Sequence, residues 1–255
     1  MTDRRKFLTR AGALAATFGL AGCKGPSQSS FVTGLLAEVE NLSRWAQHLF
    51  AGNHALAPEY APKDIAPVFR ANGTLNPDTA DYNAHAANGF RDWRISVGGL
   101  VERPLSLSMA ALRAMPARTQ ITRHDCVEGW SCIGQWKGTP LALVLAAADP
   151  KPDARYVVFT CADNMAQPGF PEQFYYESLD VNEATHPQTI LAYELNGRTL
   201  PVEHGAPVRL RAERQLGYKM AKYVQRIELV SEFDRIAGGK GGYWEDQGYA
   251  WYAGI

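Results

Sequence analysis

The sequence predicts a mixed α+β protein, and three observations carry that prediction. Short β-rich runs occur at 93–97, 119–122, 155–161, 207–211 and 225–230. Two short helical patterns lie between them, at 108–113 and 141–148. The 255 residues are 46% hydrophobic and 11% aromatic, which suits a folded globular chain and excludes disordered, collagen-like and coiled-coil classes.

At the N-terminus, Asp3-Arg4-Arg5-Lys6-Phe7-Leu8 and the apolar run 11–21 have the basic head and hydrophobic core of an export signal, too short to span a bilayer. Paired arginines before Phe-Leu resemble the twin-arginine signal, whose use is to export proteins already folded around a cofactor. Leu20-Ala21-Gly22-Cys23 resembles a lipoprotein processing box, making Cys23 a candidate lipid anchor and 24–30 a tether. An ordinary signal peptide that discards Cys23 is the alternative. Both imply a periplasmic or cell-envelope location, an oxidising compartment.

Leu35, Leu36, Val39, Leu42, Trp45, Ala46 and Leu49 recur at helical spacing and predict an amphipathic helix over 31–50. Residues 51–90 carry Pro58, Pro62, Pro67 and Pro77 among Asn, Gly and Asp, which reads as irregular chain bordering a ligand. In the body, Ser108 is placed to cap the first short helix and Pro140 to start the second. The tail 237–255 holds Tyr243, Trp244, Tyr249, Trp251 and Tyr252, too aromatic to hang free in water. The expected divisions are 1–23 signal, 24–64 tether and helix, 65–236 body and 237–255 tail.

Twenty-six basic residues balance twenty-six acidic ones, with no block of like charge to follow a phosphate backbone, so nucleic acid is not an expected partner. Loss of residues 1–22 removes four basic groups and one acid, for a mature formal charge of about −3. No Cys-x-x-Cys-His occurs, so no haem is expected in this chain. The histidines 48, 54, 85 and 186 lack metal-ligand spacing.

The chemistry concentrates in two stretches. The first is Arg123-His124-Asp125-Cys126-Val127-Glu128-Gly129-Trp130-Ser131, a cysteine just after a strand, where a thiol can be a metal ligand, a nucleophile or inert. The second holds Leu191-Ala192-Tyr193-Glu194-Leu195-Asn196-Gly197, His204-Gly205-Ala206-Pro207-Val208-Arg209-Leu210 and Gly217-Tyr218-Lys219-Met220-Ala221-Lys222. Its basic side chains among glycines suit either an anion site or a solvated edge.

Over roughly residues 65–232 these motifs, in this order and spacing, resemble the molybdopterin-binding oxidoreductase domain of the sulfite oxidase family. The resemblance implies a β-rich domain holding one Mo-molybdopterin, with Cys126 as the thiolate on molybdenum and the catalytic residue. It implies a basic pterin and phosphate pocket from His204, Arg209, Lys219, Met220, Ala221 and Lys222. Phe69-Arg70-Ala71-Asn72-Gly73 resembles the family's early cofactor loop, with Asn72 contacting the pterin, and a polar pocket residue falls at Thr160 or Cys161. It further implies oxygen-atom transfer on a small-molecule substrate, an S-oxide, N-oxide or other sulfur compound. Electrons would pass to or from a separate protein: a cytochrome, a membrane haem protein or a quinone-linked protein.

Sulfite oxidases follow the ligand cysteine with small residues and arginines that hold sulfite, whereas here Val127, Glu128, Gly129 and Trp130 follow, arguing against sulfite. Cys-Val-Glu-x-Trp-Ser is closer to the twin-arginine-exported bacterial branch that includes methionine sulfoxide reductase catalytic subunits, although Asp125 stands where that branch has a basic residue. Two rivals predict other behaviour: a periplasmic binding protein that holds the ligand without turnover, and a metal-free thiol redox protein using Cys126 with Cys132. Cys132 and Cys161 are expected to be free and structural.

Overall fold

The computed structural model describes residues 55–166 and 169–255. The expected signal, Cys23 and the 31–50 helix lie outside the described residues. The strands, in chain order, are β1 (Arg94–Gly99), β2 (Leu105–Ser108), β3 (Arg118–Asp125), β4 (Ser131–Pro140), β5 (Tyr156–Asn164), β6 (Phe174–Asp180), β7 (Ile190–Leu195), β8 (Arg198–Thr199), β9 (Arg209–Arg211) and β10 (Val224–Val230). They form two sheets, so the class is α+β. One has the order β2-β1-β10-β5-β6, with β1 and β10 parallel and its other pairs antiparallel. The other has the order β3-β4-β7-β8, with β9 also pairing β7.

The first sheet follows from alternation. In β1, Ile95 and Val97 point inward between exposed Arg94 and Ser96, the period a half-buried strand requires. The Leu141–Ala148 helix buries Leu141, Val144, Leu145 and Ala148, one face at helical spacing, into the same cluster as Trp93, Phe159 and Ile227. Each large apolar side chain so buried contributes about 1.5–3 kcal/mol. Trp93 is also fixed by its indole N–H, which donates to the Val224 carbonyl at 3.1 Å. The Met109–Ala114 helix begins where expected, with Ser108 Oγ accepting from the Ala111 amide at 3.1 Å.

The segment expected to be irregular contains a helix, Ala80–Ala87. Thr79 caps it, accepting from the Tyr82 amide at 3.2 Å, and fully buried Tyr82 anchors it by donating to the Ala206 carbonyl at 2.7 Å. The residues before Ala66 join the second sheet: Glu59 bridges Thr122, and the Tyr60 amide donates to the Ile121 carbonyl at 2.9 Å. On β3 the inward face is polar, with Gln120, Thr122 and His124 buried. A polar inward face next to a cysteine marks where the second sheet stops being core and becomes site.

Candidate cofactor site

Cys126 sits in the turn that joins β3 to β4. Its amide donates to the Trp130 carbonyl at 2.9 Å, and the Gly129 amide returns to the Cys126 carbonyl at 3.0 Å. Gly129 closes this turn at φ +86°, a left-handed conformation that side chains resist. The thiol is buried, 6% exposed, and faces a cleft.

The 69–74 segment supplies the thiol's partner. The Phe69 ring packs edge-on against Trp136 at 5.1 Å and His204 at 5.6 Å, which fixes the chain that follows. Asn72 Nδ2 then donates to Cys126 Sγ at 3.2 Å. Lys222 secures the same segment from below, its ammonium donating to the carbonyls of Asn72 at 2.9 Å, Glu203 at 3.1 Å and Thr74. Burial, and then the neighbouring Arg209, lower the Lys222 pKa to about 7.

Arg209 is buried on β9, donating to the carbonyls of His204 at 3.0 Å and Met220 at 3.2 Å, with its guanidinium 5.1 Å from the Trp136 ring centroid. Its Nε has no protein partner, and burial with Arg211 lowers its pKa to about 9, still a cation at neutral pH. Asp163, at the end of β5, lines the same cleft. Its Oδ1 also lacks a partner, and burial raises its pKa to about 6. Behind this wall, His124 Nδ1 accepts from Arg211 at 3.0 Å, so the ring carries its proton on Nε2; burial, then Arg211 and Arg209, hold it well below the usual histidine range. Gly217 lies against that ring: a Cβ there would stand 2.4 Å from His124 Cε1, so no side chain fits.

The cleft encloses about 780 Å³ of space between atoms, its open mouth included. Asn72, Cys126, Asp163, Arg209, Met220 and Lys222 line it, with Val127 and Glu128 following the cysteine along the chain, and Tyr218, Trp244 and Tyr249 form an aromatic wall.

The sequence pattern described as the oxidoreductase molybdopterin binding domain matches residues 83–235. The chain belongs to that family. It is 37% identical over 251 residues to a putative protein-methionine-sulfoxide reductase subunit YedZ1 of Azospira oryzae, covering 98% of this chain and 87% of that one. It is 38% identical over 213 residues to the protein-methionine-sulfoxide reductase catalytic subunit MsrP of Ralstonia nicotianae, covering 75% of this chain and 64% of the relative. Among solved structures, the sulfane dehydrogenase SoxCD of Paracoccus pantotrophus matches 56% of this chain and 39% of its own, with 24% identity and a TM-score of 0.48. The chain is thus a molybdopterin-dependent oxidoreductase of the sulfite oxidase family.

The site suits a molybdopterin. Arg209 and Asp163 both line this cleft and each holds a buried polar atom without a partner, Nε and Oδ1, a cation and a carboxylate that suit a ligand carrying both an anionic phosphate and a donor-rich ring. Among the described residues no cluster of three His, Cys, Asp or Glu side chains could hold a metal ion alone, so the single thiol of Cys126 fits a metal whose other ligands come with the cofactor. Without metal that thiol is not activated: burial pushes it up, against the lowering by the Glu128 backbone, and Glu128's charge raises it further. Cys132 and Cys161 are free and buried, and Cys132 donates weakly to the Val68 carbonyl at 3.7 Å, so among the described residues Cys126 has no disulfide partner.

The site residues expected from sequence divide into three groups. Asn72, Cys126, Arg209, Met220 and Lys222 come together at the cleft. His204 and Ala221 stand behind its wall, His204 held below the usual histidine range by burial and Arg209, and Ala221 accepting the Leu210 amide at 2.7 Å. Thr160, Cys161 and Lys219 do not line the cleft. Thr160 pairs across to Tyr176 and Arg226 within the sheet, Cys161 is fully buried, and the polar wall residue from β5 is Asp163 instead. The Lys219 ammonium is buried between Glu177 and Glu245, the latter at 2.6 Å, so its charge is spent inside the protein rather than offered to an anion. Sequence reasoning missed Asp163, Tyr218, Trp244 and Tyr249 as site residues. The irregularity of β5 between Thr160 and Asn164, which brings Asp163 to the cleft, has no local signal, whereas the aromatic density of the tail was a signal for its aromatic wall.

Proposed function

We propose that this enzyme is an exported reductase that takes the oxygen atom from an S-oxide, using one Mo-molybdopterin per chain and electrons from a separate haem or quinone-linked protein. Each turnover consumes one sulfoxide, two protons and two electrons, breaks the S=O bond, and releases one thioether and one water. The observation that carries the reading is the rim beside Cys126. There Val127 and Glu128 line the cleft, Arg209 and Lys222 give donors to backbone carbonyls, and the Arg70 guanidinium near Cys126 packs over the Trp130 ring. A neutral S-oxide enters such a rim at less electrostatic cost than a sulfite anion, which would meet the Glu128 carboxylate. The names of the Azospira and Ralstonia relatives point to the same substrate class, the sulfoxide of methionine.

Bound there, the molybdenum centre would supply two-electron oxygen-atom transfer. Cys126 would hold the metal, and Asn72 Nδ2 would direct one hydrogen bond at its sulfur, lowering the electron density on the thiolate. Arg209 Nε and Asp163 Oδ1 would receive the polar edges of the pterin group, and Lys222 would keep the 72–74 turn closed beneath it.

Protein exported with its own signal tests this. About one Mo per chain, oxidation of a reduced viologen dye by methionine sulfoxide, and loss of both in Cys126→Ser are the expected results. Mo-loaded protein that oxidises sulfite and reduces no S-oxide would refute the proposed direction and substrate. Metal-free protein retaining a pterin would favour a binding role.

A further inference from the structure

The aromatic wall of the cleft comes from the tail. The family match ends at residue 235, yet Trp244 and Tyr249 face the same space as Cys126. Their rings stack at 5.3 Å with an interplanar angle of 28°, and Tyr218 meets Tyr249 edge-on at 5.3 Å. Behind them Tyr243 touches Trp244 at 5.3 Å. Tyr249 is 39% exposed, so the wall is reached from solvent as well as from within the cleft.

This wall is held in place before any substrate arrives. Glu245, one residue after Trp244, is bound by the buried Lys219 ammonium at 2.6 Å. Asp246 accepts from Tyr176 Oη at 2.6 Å and from the amides of Gly238 at 2.9 Å and Lys240 at 3.1 Å. The Tyr218 hydroxyl donates to the Ala250 carbonyl at 2.7 Å, and the Leu216 amide to the Ala253 carbonyl at 2.9 Å. Aromatic side chains so fixed lose little entropy when a ligand packs on them.

We infer that Tyr218, Trp244 and Tyr249 are the specificity determinants of this enzyme, selecting sulfoxides that carry an extended alkyl arm, as the methionine sulfoxide side chain does, over minimal ones. The inference rests on the S-oxide reading above. The carbons beside an S=O group are apolar yet carry partial positive charge, and aromatic faces are electron-rich, so ring faces favour that arm by packing and by electrostatics. Tyr218, Trp244 and Tyr249 line the same cleft as the thiol, so an arm extending from a sulfur near Cys126 would meet this aromatic cluster.

The test uses Mo-loaded enzyme with reduced viologen as donor, and compares N-acetylmethionine sulfoxide amide with dimethyl sulfoxide. In Trp244→Ala and Tyr249→Ala, KM for the long-armed substrate rises about three- to tenfold with little change in its kcat, and the ratio of the two kcat/KM values falls by the same factor. Trp244→Phe, which keeps a ring, restores most of the ratio, and Mo content separates this from a folding loss. An unchanged ratio in both alanine variants, at full Mo content, overturns the inference while leaving the reductase reading intact. A Mo-loaded wild type that reduces neither sulfoxide overturns both.

Discussion

Replacing Asp163 with asparagine gives the most quantitative test of the site's electrostatics. The carboxyl is 3% exposed, one oxygen has no partner, and burial raises its pKa from 3.8 to about 6. The folded state therefore holds the proton more tightly than the unfolded chain does. Asp163 costs nothing below about pH 4, where both states are protonated, and its penalty grows until the pH passes about 6, where both are ionised. A shift of about two pKa units at 1.36 kcal/mol each gives a penalty of about 3 kcal/mol above pH 6. Asparagine keeps the shape and removes the titration. Cofactor-free Asp163→Asn should match the wild type near pH 4 and exceed it in thermal stability by about 6–12 °C at pH 7, at 2–4 °C per kcal/mol for a domain of this size. Calorimetry of both proteins from pH 4 to pH 7, without cofactor, measures the difference. In the loaded enzyme the gap should narrow, since Oδ1 then has a donor to accept from. A melting difference that is flat across this range, or a variant less stable than wild type at pH 7, would refute the claim that burial, outweighing the Thr74 hydrogen bond and the Lys222 charge, makes this carboxyl costly to ionise.

Gly217→Ala should lower stability by about 1–3 kcal/mol, because its Cβ would overlap the His124 ring and that ring is held by Arg211; a denaturant midpoint reads the loss, and Gly98→Ala, where an added Cβ meets nothing within 4 Å, serves as the comparison. Lys219→Met should cost about 3–5 kcal/mol, since it leaves the carboxylates of Glu177 and Glu245 buried without a cation, and Lys219→Met combined with Glu177→Gln should recover part of it in chemical denaturation. Asn72→Ala should leave the fold and Mo content in place while lowering the molybdenum reduction potential in an electron paramagnetic resonance titration, because loss of the hydrogen bond to Cys126 Sγ returns electron density to the thiolate; an unchanged or raised potential would count against a role for that bond in tuning the metal.

Much of the fold was legible because its strands advertise themselves locally. The runs that became β1, β3, β5, β9 and β10 are β-branched or alternating, and the Ser108 cap and the apolar stripe of 141–148 needed no tertiary information. The strands β2, β4, β6, β7 and β8 were not predicted; β2 and β8 are short, and the other three were missed for physical reasons that differ. Gly134 and Gly138 make β4 look like loop, yet they are there because the Phe69 ring and the β7 backbone come too close for a side chain. In β6, Glu177 and Ser178 interrupt the apolar period, and they are buried because Lys219 and the Gly241 carbonyl meet them. The Leu-Ala-Tyr-Glu-Leu run of β7 was seen as a motif and not as a central strand, although burial on both faces is what gives it so few polar residues.

The site shows where local reading stops. Arg209, Lys219 and Lys222 looked alike as three cations in one basic stretch, and in the structure each has a different office. Arg209 keeps a donor free for a ligand, Lys222 ties together three backbone carbonyls, and Lys219 joins the tail to β6. What separates them is the position of their acceptors: Glu177 lies 42 residues before Lys219 and Glu245 26 after it. A buried charge is defined by its partner, because desolvation excludes any arrangement that leaves it alone. The residue types of a cofactor pocket can thus be named from sequence, whereas the division of its cations between binding a ligand and holding the pocket closed is decided by which acids the fold brings beside them. In this chain that division is made by the tail, whose Glu245 draws Lys219 out of the pocket and whose Trp244 and Tyr249 then become part of the pocket's aromatic wall.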